Sequence, residues 1–495
     1  MATNRNYLAV DLGAESGRVI IGTLADDRLS LKEVHRFANI PVRLPDGLHW
    51  DVLRIWSEIK SGISAAVSKN GGKLDSIGLD TWGVDFALLD KQGDLLGNPF
   101  HYRDSRTDGM LAEAFRRMPR ERIFDYTGIQ FMEVNTLYQL LAMVVGKSPL
   151  LEAARTFLTI PDLFNYWLSG KIKCEFTIAT TTQCFDPHKR DWSHPLLGAM
   201  GIPEHLFQPV IEPGTVIDNL DPGVANEVGA LRIPVVAPAC HDTGSAVVAI
   251  PAEGKNFAWI SSGTWSILGV EADHPVVNEQ TFKYNFTNEG GVFGTWRLCK
   301  NVMGLWILQE CRRTWARQGE ELTYDEITRM AADAKPLQFI IDPDFGGFLH
   351  PEDMPDQIRQ YCINTGQPVP QGKGELIRSV LESIALKYRW VLEQLEEITA
   401  TRFEQLHIIG GGTQNRLLNQ FSADATQRTC LTGPVEATAL GNVLMQGIAL
   451  GQIESLEHGR NLVRMSFPPS SYQPGDPKEW DRAYVRSLEM TEQMK

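Results

Sequence analysis

The sequence predicts an α/β protein of two domains, on three observations. Its 495 residues exceed what one compact core usually holds. Strand-like and helix-like segments alternate along the chain, and an opening run of short strands with a glycine-bearing turn recurs near the middle.

Residues 6–12, 17–24 and 28–37 read as three short strands separated by turn-forming residues. Residues 50–68 place Ile55, Ile59 and Ile63 on one helical face, and 74–80 returns to strand, giving β-β-β-α-β. Residues 255–261 and 264–270 again predict strands, with a tight Ser262-Gly263 turn. After them come a helix over about 301–317, a long helix over 375–399, a strand at 405–409, a helix after the glycines that follow, and a helix from about 436. Residues 319–374, rich in Pro, Gly and Asp, are expected to be an irregular insertion, and the tail from 467 to turn helical. The boundary is placed near 250–256, at PAEGKN, dividing the chain into 1–250 and 251–495.

Composition narrows the function. With 43% apolar and 22% charged residues the chain is an ordinary globular protein, neither disordered nor fibrous. A formal charge of −14 without a dense Lys/Arg run opposes nucleic acid as a partner, so any phosphate must be held locally, by N–H groups, a helix start or a divalent cation. Seven cysteines, never closer than ten positions, exclude CxxC redox pairs and zinc knuckles and suit a reducing cytosol. No run of 18 apolar residues occurs, so a membrane partner is not expected and a cytoplasmic location is.

Four segments carry candidate chemistry. DLGAESGR at 11–18 puts a carboxylate at a strand end before a glycine turn: Asp11 would face a hydrated Mg²⁺ and Ser16, Gly17 and Arg18 the β- and γ-phosphates, although a plain hairpin explains the pattern equally. SSGTWS at 261–266 is a similar turn, with the Thr264 hydroxyl available to phosphate; two such turns, one per domain, would clamp ATP from both sides. In VVAPACHDTGSAVV at 235–248, Asp242 lies in an apolar run where a carboxylate needs a partner or a task, such as accepting a hydroxyl proton during phosphoryl transfer. His241 there reads first as a packed core residue, and Thr243 as a donor to backbone or sugar. LHIIGGGTQNRLLNQFSADA at 406–425 runs a strand through three glycines into a helix, letting a base or ribose approach the backbone.

Competing motifs fail on context. Asp242-Thr243-Gly244 spells the aspartic-protease triplet, but no second copy exists. Asn415 stands where a dinucleotide fingerprint needs glycine, and Leu141 where a Walker loop ending at Gly146-Lys147-Ser148 would need one. On a helix over 301–317, Asn301 and Gln309 would lie within ~80° of each other and could face one cleft.

Taken together, these segments, with IPDLFNYWLSGK at 160–171 and GPVEATALGN at 433–442, resemble the FGGY carbohydrate kinases over nearly the whole chain. The resemblance implies two ribonuclease-H-like domains of the actin/hexokinase type with a ligand cleft between them, the first serving sugar and phosphate and the second the nucleotide. DTWGVDFALLD at 80–90, YRDSRT at 102–107, CHDTGSAV at 240–247, TNEGG at 287–291 and KNVMGLW at 300–306 are most similar to the subgroup acting on L-rhamnulose. It implies phosphorylation at O1 by Mg-ATP, with Asp242 as base, Gly83, His241, Asp242, Thr243 and Asn301 at the sugar, Ala14, Glu15, Ser16, Gly17, Arg18, Thr264, Gln309 and Gly411 at ATP, and Asp11 holding the metal through water. Glu15 departs from the small serine of similar turns, and its side chain is expected to point outward. Monomer and homodimer both remain open. Kinases of L-fuculose or L-xylulose, and an actin-like ATP switch without sugar chemistry, are the alternatives.

Overall fold

The structure, a computed structural model, describes residues 4–349 and 351–493. The chain forms two compact units. The first comprises Met1–Pro251, Glu271–Leu298 and Ala437–Phe467, and the second Ala252–Val270, Cys299–Glu436 and Pro468–Lys495.

In the first unit, β1 (Arg5–Leu12), β2 (Ser16–Ala25), β3 (Arg28–Ala38), β4 (Ser76–Thr81), β5 (Thr215–Asn219) and β6 (Pro234–Ala237) form one sheet in the order β5-β6-β4-β1-β2-β3. The opening meander is antiparallel, whereas β1, β4 and β6 run parallel. The inner strands β1 and β4 are buried on both faces, as parallel strands covered by helices must be. Helix Val52–Lys69 starts where the Asp51 carboxylate accepts from Arg54 N–H, and buries Ile55, Ile59 and Ile63 in the core around Val10, Val19 and Leu79. On helix Ala437–Ala449 a Cβ at Gly441 would overlap the Ser245 carbonyl, so glycine there lets this helix lie directly on helix Asp242–Val248.

The second unit repeats the plan. Strands β7 (Phe257–Ser262), β8 (Trp265–Ala272), β9 (Trp296–Met303), β10 (Gln405–Ile409), β11 (Thr429–Thr432) and β12 (Ser470–Tyr472) run in the order β9-β8-β7-β10-β11-β12. β7 pairs antiparallel with β8 and parallel with β10, as β1 pairs with β2 and β4; β10 and β11 are parallel, and β12 closes the edge antiparallel, as β5 does. The predicted duplication is therefore present in topology.

Two expectations need correcting. The helix read over 301–317 begins only at Trp306, because Asn301 to Met303 extend β9, so the helical-wheel argument pairing Asn301 with Gln309 does not hold. Gly304 ends the strand at a close approach, where a Cβ would sit 2.6 Å from Ser266 Oγ and 2.9 Å from the Gly263 carbonyl. Residues 319–374 are not irregular throughout: helix Tyr324–Asp333 starts on a Thr323/Glu326 capping box and helix Met354–Asn364 on Asp353. The tail is helical over Lys478–Gln493. No described helix is long and apolar enough to cross a membrane.

Candidate active site

In open parallel sheets, chemistry collects beyond the carboxyl ends of the strands, and the first unit follows that rule. β1 ends at Leu12, β4 at Thr81, and the loop after β6 leads to Asp242. Backbone bonds tie the three ends together: Thr81 N–H donates to Cys240 O at 2.9 Å and Trp82 N–H to Leu12 O at 3.1 Å.

The turn after β1 is closed by Gly13 N–H donating to Ser16 O at 2.9 Å. Neither Gly13 nor Gly17 has a positive φ. Gly17 is required instead because a Cβ would strike the Phe37 ring. Ala14 and Ser16 are half-buried and Glu15 is exposed, with its carbonyl accepting from Asn39 N–H. Arg18 pairs across the hairpin with the buried Asp11, its register partner.

On the parallel neighbour, Asp80 stands in register with Asp11 and is fully buried. Its Oδ2 accepts from Asn442 Nδ2 at 2.6 Å, while Oδ1 has no partner. Burial pushes the Asp80 carboxyl well up, the nearby charges of Asp11 and Asp242 add to this, and Asn442 opposes it.

Asp242 opens helix Asp242–Val248. Its Oδ1 accepts from Thr243 N–H at 2.6 Å and from Thr243 Oγ1 at 3.3 Å, and lies 3.3 Å from His241 Nε2. Oδ2 is left open. Burial raises its pKa against His241 and the Thr243 N–H. His241 is buried, as its core reading predicts, but it is also engaged: Arg297 Nη2 lies 3.0 Å from Nδ1, and Glu289 Oε2 lies 3.3 Å from it. Burial pushes Glu289 up, but Arg297 and His241 outweigh it and hold the carboxylate below its usual range. A Cβ on Gly83 would sit 3.3 Å from both His241 Nε2 and Thr181 Oγ1, so Gly83, His241, Asp242 and Thr243 share one place.

The second unit assembles its own candidates. Gly263 N–H donates to Trp265 O to close the turn that carries Thr264, and helix Trp306–Arg317 is tethered to it by Leu305 N–H to Gly263 O and Trp306 N–H to Thr264 O, each 3.0 Å. Gln309 follows one turn later, and its Oε1 is buried with no partner. Gly410 holds φ +86°, and a Cβ on Gly412 would collide with Ser262 Oγ, so the glycines lie against the same turn, with Gly411 exposed between them. Asn301 is half-buried on β9.

Two family models cover the chain: the N-terminal domain of the FGGY family of carbohydrate kinases matches residues 6–249, and the C-terminal domain residues 258–450. The chain belongs to the FGGY family of carbohydrate kinases. A rhamnulokinase of Bacteroides thetaiotaomicron is 44% identical over 97% of this chain and 98% of its own length. One of Oceanobacillus iheyensis is 43% identical over 94% and 97%. Among solved structures, a xylulose kinase from Lactobacillus acidophilus superposes with TM-score 0.82 at 17% identity, covering 99% of this chain and 98% of that one. Plasmodium falciparum glycerol kinase with ADP gives 0.78 at 16%, covering 98% of each. These solved structures share the two-domain actin/hexokinase-like fold.

In this FGGY kinase, sequence reasoning missed the supports of Asp242. Glu175, fully buried, accepts from Thr177 N–H, Thr177 Oγ1, Ile178 N–H and Cys240 N–H. Thr177 Oγ1 in turn accepts from His241 N–H at 3.1 Å. Burial pushes the Glu175 carboxyl up to about 8 against these donors. Asp80 and Glu289 also escaped assignment: Asp80 at the end of a largely apolar strand offered a signal, whereas Glu289 in the polar strand Thr287–Gly290 offered none. All seven cysteines are buried, and none forms a disulfide among the described residues.

Proposed function

We propose that this kinase transfers the γ-phosphoryl group of ATP to O1 of L-rhamnulose. The observation that carries the reading is Asp242: a half-buried carboxylate whose Oδ1 is fully engaged while Oδ2 stays open, beside Gly83 and His241. The full-length relatives named rhamnulokinase support the choice of sugar.

In this reading the sugar hydroxyl donates to Asp242 Oδ2 and gives up its proton late in an in-line, loose transfer. Gly83 leaves room for the sugar, while His241 and Thr243 orient it. Backbone N–H groups of Ala14–Arg18 and the Arg18 guanidinium stabilise charge developing on the phosphates. In the second unit Thr264 offers a hydroxyl to phosphate, Gly411 an open backbone, and the orphaned Gln309 Oε1 an acceptor for the nucleotide.

A divalent ion fits the residues present. Asp11, Asp80 and Asp242 provide hard oxygen donors, and buried Asp80 Oδ1 lacks a partner. Among the described residues no three His, Cys, Asp or Glu side chains could hold an ion directly, so Asp11 would hold Mg²⁺ through its water shell. Held there, Mg²⁺ would offset the negative charge of the phosphates during transfer. The reading includes a cytoplasmic location, where ATP is available.

The test is ADP release with a panel of ketoses. L-rhamnulose is expected to give a higher kcat/KM than L-fuculose, L-xylulose or glycerol. Equal turnover of another ketose would overturn the substrate, and ATP hydrolysis indifferent to every sugar would overturn the kinase reading.

A further inference from the structure

The segment Trp82–Asp85 contains a conformation that its sequence resists. Val84 holds φ +67°, in the left-handed region, where a β-branched side chain crowds its own backbone. Trp82 and Asp85 on either side are buried, yet Gly83 and Val84 are half-exposed. The turn therefore presents two residues from an otherwise closed core, and Gly83 lies against His241.

Buried side chains enforce this geometry. Asp85 Oδ2 accepts the indole N–H of Trp50 at 2.6 Å and of Trp82 at 2.9 Å, and its Oδ1 accepts from Gln139 Nε2 at 2.9 Å. Thr136 Oγ1 donates to the Val84 carbonyl at 2.6 Å. Arg106 Nη2 donates to Gln139 Oε1 at 2.6 Å, fixing which way that amide faces. Burial pushes the Asp85 carboxyl up to about 6, opposed by Gln139, Trp50 and Trp82. A carboxylate with three side-chain N–H donors inside the core is an anchor, since losing it would leave the two indole N–H groups buried without their acceptor.

We propose that Asp85 is a positioning residue that holds the Gly83–Val84 turn in its strained conformation against the sugar, and so sets affinity for the sugar but not for the nucleotide. The inference rests on the reading of Gly83 and His241 as sugar-binding. Strain maintained by an anchor makes a specific prediction: remove the anchor and valine relaxes out of the left-handed region, whereas glycine, which enters that region freely, has little reason to move.

The test is a double-mutant cycle between Asp85→Asn and Val84→Gly. It is read as ketose KM, ATP KM and ketose Kd from the quenching of intrinsic tryptophan fluorescence. Relaxing a strain of this type corresponds to ~10-fold or more in ketose KM for Asp85→Asn when residue 84 is valine. The same substitution in the Val84→Gly background is expected to give a clearly smaller change. ATP KM should move less than ~2-fold throughout, and Kd should follow ketose KM. Equal effects of Asp85→Asn in both backgrounds, a parallel rise in ATP KM, or a loss confined to kcat would overturn the proposal. If Asp85→Asn does not fold, Trp50→Phe, which deletes one of the three donors, replaces it with the same ordering at smaller size. The unmodified protein run on the ketose panel keeps the two readings apart: preference for another ketose refutes L-rhamnulose, and the cycle on that ketose still decides the role of Asp85.

Discussion

Asp11, Asp80 and Asp242 are chemically identical, and their surroundings separate them. Asp11 is bound to Arg18, and Asp80, with Oδ2 on Asn442 and Oδ1 unpartnered, is fully buried, whereas Asp242 is half-buried with Oδ1 engaged and Oδ2 open. A base that collects a proton late needs that open oxygen. Asp242→Asn keeps the shape of the side chain and is expected to lower kcat by ~10²–10⁴ with ATP binding retained. Single-turnover ADP release and a nucleotide titration separate the two quantities, and near-native kcat would refute the role. Because burial raises the Asp242 pKa, the acidic limb of the kcat/KM profile should lie above the ordinary carboxylate range: the base must be ionised, so the rate falls as pH drops through the raised value. A limb at the ordinary position would show that another group titrates.

At the scale of elements, helix Ala437–Ala449 is distant in sequence from the chemistry and yet holds it. Gln446 Nε2 donates to Asn442 Oδ1 at 2.7 Å, Ser76 Oγ donates to Gln446 Oε1 at 2.7 Å, and Asn442 reaches Asp80. The helix can make these bonds only if it lies against helix Asp242–Val248, which Gly441 permits. Gly441→Ala would ordinarily favour a helix by propensity. Here the added methyl meets the Ser245 carbonyl, so overpacking is expected to win and lower stability by ~1–3 kcal/mol or more. A urea midpoint unchanged or raised in this variant would contradict the packing argument.

For the molecule as a whole, buried acids govern the response to pH. Burial pushes Asp85 up to about 6, Asp162 and Glu382 to about 7 and Glu175 to about 8. Each keeps its proton in the folded protein at a pH where an unfolded carboxyl, titrating near ~4, has lost it. Their contribution to stability is complete below that ordinary value, declines as pH rises through the interval, and is gone once pH passes the folded values. A formal charge of −14 works in the same direction through self-repulsion. The thermal unfolding midpoint is therefore expected to fall between about pH 5.5 and about pH 8.5. A midpoint that climbs across that range would show that these acids are ionised in the folded protein.

The sequence by itself determined the features written in local period and local chemistry. The opening meander, helix Val52–Lys69, the β7–β8 hairpin and helix Lys373–Thr399 follow from hydrophobic spacing and turn residues that act over a few positions. Asp242 stood out because an acid inside an apolar run conflicts with burial unless it has a task. Asn301 was misplaced because Asn-Val-Met before a helix carries no boundary signal; pairing within the sheet and the close approach at Gly304 decide where β9 ends. Only the tertiary structure could set Asp80 beside Asp11, bring Glu175 and Thr177 beneath Cys240 and His241, and join Trp50, Trp82 and Gln139 on Asp85. All of those contacts except Trp82–Asp85 link positions tens of residues apart, and they are fixed by strand register and helix packing, which no periodicity along the chain encodes.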